Sequence, residues 1–288
     1  MNSWNQFIKQ NKGSFLQSSE WADFQERCGN KVLRFEAGGL RAVLIKERFS
    51  YYIPYGPVFT GSLNDLFNKL KGKCDFLRIE PYDKEIQGRA SFKRTQPQKT
   101  LLLDLNESEQ ELLNSFQKTC RYNIGLAQRK GLKVAVKQEY DPVFYQLLKS
   151  TARRNDFKPF NEDHYKKLFL VKSKDFDVNM FLGKYQGKTI AAYIMVIFNN
   201  RATALHGSFD MKYKKLKPAN LMVWERIRYA KQNGCSVFDF WGIDEKRWPG
   251  FTEFKKSFSG KERTYPKAVD IVFSPLKYKM YRILKKIL

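Results

Sequence analysis

The strongest candidate for chemistry in this sequence is a lysine set among aromatic residues. Lys255 lies between Phe251, Phe254 and Phe258, shortly after an apolar stretch that ends at residues 241–244. A cation in a low-dielectric cleft can stabilise developing negative charge, so this pattern suits a reaction that passes through an oxyanion. The same pattern arises when a lysine lays its stem across an apolar surface and keeps its ammonium in solvent. The residues alone leave both interpretations open.

Other catalytic motifs do not occur in the sequence. GxxxxGK[ST], HExxH and GxSxG are missing, so nucleotide hydrolysis, zinc proteolysis and a serine nucleophile elbow have no motif support. The two histidines, His164 and His206, are expected to be structural, which argues against a histidine relay. The four cysteines are far apart without a CxxC pair, so free thiols are expected and a metal site is not.

Net charge is the clearest compositional signal. Lysine and arginine number 53 and aspartate and glutamate 29, which gives +24. Such a surplus attracts nucleic acid, anionic lipid or phosphorylated small molecules, although a generally basic proteome would give the same value. No apolar run is long enough to cross a bilayer, and the N-terminus lacks the apolar core of a signal peptide. These features indicate the cytoplasm.

Two parts of the chain have the same predicted order of elements. In residues 32–81, a hairpin turning at Gly38-Gly39 is followed by a strand, a helix and a strand ending in IEP. In residues 176–244, a hairpin turning at Gln186-Gly187 is followed by a strand, a helix and a strand ending in GID. We infer an internal duplication of one α/β unit. The loop DMKYKKLKPAN before the second helix lacks the glycines that cradle a pyrophosphate, so no acyl-CoA or other cofactor is expected.

Two helical segments complete the prediction. Ser108 and Glu111 form a capping box that should open one long helix ending near Gly131. Residues 275–288 form an amphipathic tail whose apolar face comprises Leu276, Met280, Ile283, Leu284 and Ile287, with lysines and an arginine around it. This tail either docks on its own domain through that face or lies on an anionic membrane surface.

Several stretches together resemble a known family. They are, in order, FLQSSEW, YGPV, RIEP, RKGLKV, YKKLKPANLMVWERIRYAKQNG, FWGID and FTEFKKSF. In this order and spacing they resemble the FemABX peptidoglycan aminoacyltransferases, which use aminoacyl-tRNA to build the interpeptide bridge. The similarity covers nearly the whole chain, but the coiled-coil insertion of the staphylococcal members has no counterpart. The chain is therefore closer to the compact members, which act on nucleotide- or lipid-linked muropeptide.

The resemblance implies a fold and its boundaries. It implies an α/β (α+β) protein of two GNAT-like (acyl-CoA N-acyltransferase-like) domains. The first would comprise residues 1–98 and 266–288, and the second residues 99–265.

The resemblance also implies roles for particular residues. Phe254-Lys255 falls on the family's Phe-Lys pair, where the lysine steadies the ester and its oxyanion. Lys158 falls where compact members place an arginine that grips the acceptor's phosphates. Glu80 falls on an acidic position near the acceptor amine, although it could instead pair with Arg78. Gln25 falls where a compact member has a phosphate-binding lysine.

Four further residues complete the predicted set of substrate contacts, which are Arg78, Tyr165, Gly207 and Ser208. The predicted function is transfer of an amino acid from aminoacyl-tRNA to the stem-peptide amine of UDP-MurNAc-peptide or lipid II. The predicted location is the cytoplasm, and the protein could also bind peripherally at the inner face of the membrane. The alternatives are transfer to a protein N-terminus or a lipid, and RNA binding without catalysis.

Overall fold

The computed structural model describes residues 3–287, with side chains described through residue 284. This range forms ten α-helices and fourteen β-strands. The helices are α1 (Ser3–Gln10), α2 (Ser19–Arg27), α3 (Asn64–Leu70), α4 (Glu109–Ser115), α5 (Lys118–Arg129), α6 (Val143–Arg154), α7 (Glu162–Leu168), α8 (Pro218–Gln232), α9 (Pro249–Lys256) and α10 (Pro275–Ile287). The strands are β1 (Val32–Ala37), β2 (Leu40–Lys46), β3 (Ser50–Ile53), β4 (Val58–Phe59), β5 (Phe76–Ile79), β6 (Arg89–Ala90), β7 (Lys99–Asp104), β8 (Lys133–Lys137), β9 (Phe176–Tyr185), β10 (Lys188–Phe198), β11 (Arg201–Phe209), β12 (Val237–Asp239), β13 (Lys261–Thr264) and β14 (Val269–Val272).

These elements form two compact units. Unit 1 comprises Met1–Gln98 with Thr264–Leu288, and unit 2 comprises Lys99–Arg263. The sheet of unit 1 has the order β1-β2-β3-β5-β14-β6, with β4 pairing with β2. The second sheet has the order β13-β7-β12-β11-β10-β9-β8.

The two sheets share one connectivity. In unit 1 the antiparallel hairpin β1–β2 leads to β3, which pairs in parallel with β5 across helix α3. In unit 2 the antiparallel hairpin β9–β10 leads to β11, which pairs in parallel with β12 across helix α8. The predicted duplication is therefore confirmed, and the ends of β5 and β12 are equivalent positions in the two copies.

The core of each unit explains why its helices lie on the sheet. In unit 1, Leu66 and Leu70 of α3 pack against apolar side chains of β2, β3 and β5. In unit 2, the buried face of α5, including Ile124 and Ala127, and that of α8 belong to one apolar cluster with the sheet. Apolar residues at spacings of three and four give each helix this single apolar face.

The long helix predicted after Ser108 is wrong in one respect. The capping box of Ser108 and Glu111 is present, but the helix ends at Ser115 and a second one begins at Lys118. Phe116 is extended and buried, with its ring against Trp224 and Phe258. The next N–H, that of residue 117, donates to the Ser257 carbonyl at 2.9 Å instead of continuing the helix. Core packing therefore overrides the helical pattern here.

The amphipathic tail docks through a face that the sequence pattern did not indicate. Tyr278 of α10 is fully buried, and its ring lies 5.1 Å from that of Phe76. Tyr281 packs against the same ring at 5.1 Å. The predicted apolar face remains in solvent instead, with Leu276 81% and Met280 63% exposed. Ile283 and Leu284 are also exposed, and the side chain of Ile287 lies outside the described residues.

No helix in the described range is long and apolar enough to cross a membrane.

A buried ion pair connects β5, β14 and α10 in unit 1. Arg78 Nε lies 3.0 Å from Oδ1 of Asp270, and Nη2 lies 3.3 Å from Oδ2. Arg78 Nε also donates to Ser91 Oγ at 2.9 Å, and the Tyr278 hydroxyl donates to Oδ2 of Asp270 at 2.7 Å. The alternative in which Glu80 pairs with Arg78 is wrong, because Asp270 faces Arg78 in the β5–β14 register.

Asp270→Asn should lower the free energy of unfolding by about 3–5 kcal/mol, because breaking a buried pair leaves an uncompensated charge. Denaturant unfolding followed by circular dichroism measures the change. Asp23→Asn is the matched control, since Asp23 pairs with Arg34 at the surface of the same unit and should cost about 1 kcal/mol or less. Equal, small losses in both variants would contradict a structural role for the buried pair.

Candidate active site

The end of β12 is organised around a buried carboxylate. Asp239 Oδ1 accepts hydrogen bonds from the Thr100 hydroxyl at 2.6 Å and from the Trp241 N–H at 2.8 Å. Arg201 Nη1 lies 3.4 Å from Oδ2. Trp241 has a φ of 56°, a left-handed conformation that a non-glycine residue keeps only where its surroundings impose it. The strand predicted to continue to residue 244 therefore ends at Asp239.

Lys255 lies against this strand end. Its Nζ donates to the carbonyl oxygens of Trp241 at 2.5 Å and of Gly242 at 2.7 Å. The ammonium also lies 4.2 Å from the centroid of the Phe251 ring. Lys255 is 7% exposed, so the alternative of a lysine with its ammonium in solvent is wrong.

Helix α9 holds Lys255 in place from two sides. Pro249 begins the helix, and Thr252 Oγ1 accepts the N–H of Asp244 at 3.1 Å, which ties the helix to the preceding loop. On its other side Phe254 packs edge-on against the fully buried Phe258 at 5.5 Å. The lysine is therefore fixed by the core rather than by solvent-exposed contacts.

Burial strongly perturbs this lysine. Desolvation lowers the pKa of Lys255 from 10.5 to about 7, a shift that Asp239 opposes and Arg226 reinforces. An ammonium has three N–H donors, and two of them bind the carbonyls. No other described residue accepts a hydrogen bond from this group, so the third N–H is left for a substrate atom. Such a donor in a desolvated setting suits a developing oxyanion.

Arg226 of α8 is part of the same region and was not predicted. It is 4% exposed, and its guanidinium carbon lies 4.7 Å from the centroid of the Tyr193 ring. Tyr193 in turn lies across Gly207, where a Cβ would meet the ring at 2.0 Å, so this position requires glycine. A signal was present in the sequence, because position 226 falls on the apolar face formed by Met222, Val223, Ile227 and Ala230.

Glu80 occupies the equivalent strand end in unit 1. It is fully buried and accepts hydrogen bonds from the Tyr52 hydroxyl at 3.0 Å and the Gln96 N–H at 2.8 Å, and also from the Thr95 N–H. Desolvation raises the pKa of Glu80, and the three hydrogen bonds counteract that shift. A carboxylate offers about four lone-pair positions, so one acceptor position remains.

The other predicted contacts have varied surroundings. Gln25, in unit 1, is buried, and its Oε1 accepts Asn30 Nδ2 at 2.8 Å. In unit 2, Lys158 is exposed between α6 and α7 and forms no ion pair with any described residue. Tyr165 is a core residue whose ring packs 5.4 Å from His206. Ser208 is buried, and its hydroxyl has no partner among the described residues.

The two histidines are packed among aromatic rings. His164 stacks on Phe160 at 4.0 Å, and His206 packs edge-on to Tyr165. Burial lowers the pKa of each to about 4. Both are therefore neutral at neutral pH, which agrees with a structural role.

Comparison with known proteins shows similarity in both sequence and fold. The acetyltransferase (GNAT) domain family matches residues 114–256. A lipid II:glycine glycyltransferase of Staphylococcus epidermidis is 20% identical over 342 residues, covering 83% of this chain and 82% of the relative. A crystal structure of FemX superimposes with a TM-score of 0.82 at 18% identity, covering 96% of this chain and 97% of that one. These similarities support the resemblance to the FemABX family.

The chain spans little more than half the length of a second relative. A lipid II:glycine glycyltransferase of Staphylococcus aureus is 25% identical over 252 residues, which is 73% of this chain and 59% of the relative. The predicted fold of two GNAT-like domains is therefore confirmed.

Lys255→Met should change how stability depends on pH. Because the folded-state pKa of about 7 lies below 10.5, the unfolded chain binds more protons between these values. The free energy of unfolding of the wild type should therefore gain a contribution that rises with pH across this window, by up to about 1.4 kcal/mol per pH unit. Denaturant unfolding of both proteins at several pH values isolates this contribution as their difference.

Lys256→Met is the control, because Lys256 is a neighbouring lysine that pairs with Glu245 at the surface. It should show no rise of this kind. A wild type and a Lys255→Met variant with parallel pH profiles would contradict the depressed pKa.

Proposed function

We propose that this protein transfers an amino acid from aminoacyl-tRNA to the stem-peptide amine of a peptidoglycan precursor. The observation that carries the proposal is the buried ammonium of Lys255, with one N–H left to donate at the end of β12. The family and the glycyltransferase relatives support the reaction class.

The reaction needs little beyond positioning and one electrostatic contact. The acceptor amine attacks the ester carbonyl carbon, and a C–N bond forms as the carbonyl oxygen becomes an oxyanion. Lys255 donates to that oxygen, which is stabilised more strongly in the transition state than in the ester. The C–O bond to the tRNA ribose then breaks, and the departing hydroxyl carries the proton that the amine loses.

Two further residues are assigned roles in this proposal. Glu80 receives or orients the amine proton, since burial raises its pKa and it keeps one acceptor position. Lys158 binds phosphates of the acceptor, since it is exposed and has no ion-pair partner among the described residues. Gln25 is a weaker candidate for that task, because its side-chain oxygen is already bound to Asn30.

The segment before α8 supports a tRNA donor in this proposal. A 3-10 helix, Met211–Leu216, stands where a glycine-rich turn would expose backbone amides to a pyrophosphate. This segment carries lysines instead, and the whole chain carries a net +24. A charged tRNA is a polyanion, so binding should weaken steeply as salt is added.

We propose that the acceptor is lipid-linked and that α10 contacts the membrane at its cytoplasmic face. The relatives are named for action on lipid II. Docking through Tyr278 leaves Leu276, Met280, Ile283 and Leu284 exposed on one side of α10. Exposed lysines flank them in the same helix, among them Lys277 and Lys279. An apolar stripe bordered by cations is suited to an anionic bilayer surface.

The decisive experiment offers the purified protein a mixed pool of charged tRNAs with either lipid-linked or UDP-linked muropeptide. Mass spectrometry should show a gain of one amino-acid residue, with more product on the lipid-linked acceptor. The same spectrum names the amino acid. Product on neither acceptor while the tRNA stays charged would refute the proposal, and product on a protein or phospholipid would replace it.

Lys255→Ala should reduce kcat at least about a hundredfold, the range seen when one oxyanion donor is lost. Lys256→Ala is the matched control, because it removes an adjacent, partly exposed lysine of the same helix and should leave kcat unchanged. A correctly folded Lys255→Ala protein with wild-type turnover would exclude Lys255 from the reaction.

The membrane contact is tested by co-sedimentation with phosphatidylcholine vesicles with and without phosphatidylglycerol. Wild-type protein should bind the anionic vesicles, and Leu276→Ser with Met280→Ser should lower the partition coefficient about tenfold, because two apolar side chains no longer enter the interface. Leu170→Ser is the control, since Leu170 is equally exposed in unit 2. Equal binding by all three proteins would rule out α10 as the contact.

A further inference from the structure

Unit 2 buries more positive than negative charge. In its described residues three charged side chains are buried, namely Arg226, Asp239 and Lys255. Asp239 already accepts from Thr100 and Trp241 and lies near the half-exposed Arg201. The region therefore contains two buried cations and one carboxylate that is bound elsewhere.

The guanidinium of Arg226 is held by stacking rather than by a counter-ion. Its carbon lies 4.7 Å from the centroid of Tyr193 and 5.8 Å from that of Phe238. Its Nε donates within the helix to the Met222 carbonyl at 3.3 Å. Neither Nη forms a hydrogen bond or ion pair with any residue in the described part of the chain. A guanidinium has five N–H donors, so its outer edge is available to a ligand.

The other fully buried arginine of this protein provides an internal comparison. Arg78 is buried to a similar extent, but Asp270 and Ser91 bind it through three hydrogen bonds. The buried arginine with a structural role, Arg78, therefore has a carboxylate beside it. A buried cation without one is destabilising, and such a group is retained where a ligand completes it.

Arg226 and Lys255 belong to one locality. Phe238, which contacts the guanidinium, precedes Asp239 on β12, and Lys255 binds the carbonyls directly after that strand. The two cations are also close enough for Arg226 to lower the pKa of Lys255. An anionic group bound by Arg226 would therefore lie near the reacting ester.

We propose that the free edge of Arg226 binds the phosphodiester of the donor's terminal nucleotide. This inference rests on the proposed function, in which Lys255 contacts the ester on the ribose of that nucleotide. Two Nη groups in one plane match two non-bridging phosphate oxygens, a bidentate geometry that lysine cannot provide. Arg226 thereby positions the donor, while Lys255 stabilises the oxyanion.

The kinetic test compares aminoacyl-adenosine donors with and without a 5′-phosphate. The wild type should prefer the phosphorylated donor by about tenfold in kcat/KM, as expected for a charge-assisted hydrogen bond. Arg226→Gln should abolish that preference without raising KM for the acceptor. Arg226→Lys, which keeps the charge but loses the fork, should retain part of it. Arg228→Gln is the matched control, because Arg228 lies two residues further along α8 and pairs with Glu109 and Glu225.

A binding test separates this inference from the proposed function. AMP and adenosine are titrated into wild type, Arg226→Gln and Arg228→Gln by NMR, with circular dichroism to verify folding. AMP should bind about tenfold more tightly than adenosine to the wild type and to Arg228→Gln, and equally to Arg226→Gln. Equal binding of AMP and adenosine to the wild type would overturn the proposal even if transfer is observed. A higher KM for the acceptor in Arg226→Gln would assign the cation to the acceptor and overturn it as well.

Discussion

The candidate site depends on one constraint, which is that an ammonium group is held out of water at the end of a β-strand. Two backbone carbonyls and an aromatic face surround Lys255, and none of these carries a full negative charge. The left-handed conformation of Trp241, the hydrogen bonds of Asp239 and the packing of α9 all maintain that arrangement. The left-handed conformation of Trp241 costs stability locally and is supported by the core of unit 2, as expected where strain serves function.

The duplication shows how one topology acquires two chemistries. Both copies have a strand that pairs in parallel with its neighbour and stops at a short loop. In unit 1 the residue at that end is the carboxylate of Glu80, bound by three donors. In unit 2 the loop presents carbonyls that hold Lys255. The fold places both strand ends at equivalent positions, and unit 2 adds a lysine beside its own carboxylate, Asp239. The chemistry at each end therefore depends on the side chains and not on the fold.

Much of this structure could be predicted from local sequence patterns. The features that could not be predicted depend on contacts between residues far apart in the sequence. The hairpin turns, the Ser108–Glu111 capping box and the order of elements depend on residues close in sequence, and all were predicted. The Arg78–Asp270 pair joins residues 192 positions apart, which periodicity cannot reveal. The docking face of α10 was misjudged because tyrosine is amphipathic, so Tyr278 could enter the core with its hydroxyl bound to Asp270. The sequence analysis did not single out Arg226, although position 226 falls on the apolar face of α8.

The low pKa of Lys255 is consistent with a role as a cation. Desolvation outweighs the attraction of Asp239 and favours the neutral amine, so the folded protein avoids the full cost of a buried charge. An anionic substrate group reverses the balance, because an opposite charge within a few ångströms raises the pKa of an ammonium. Substrate binding and proton uptake are then thermodynamically coupled, and each favours the other. Among the described residues no carboxylate forms a hydrogen bond with Lys255 or Arg226, and Asp239 only partly offsets the desolvation of Lys255. This coupling is therefore strong, since a directly bonded counter-ion would satisfy the cations before the substrate arrived.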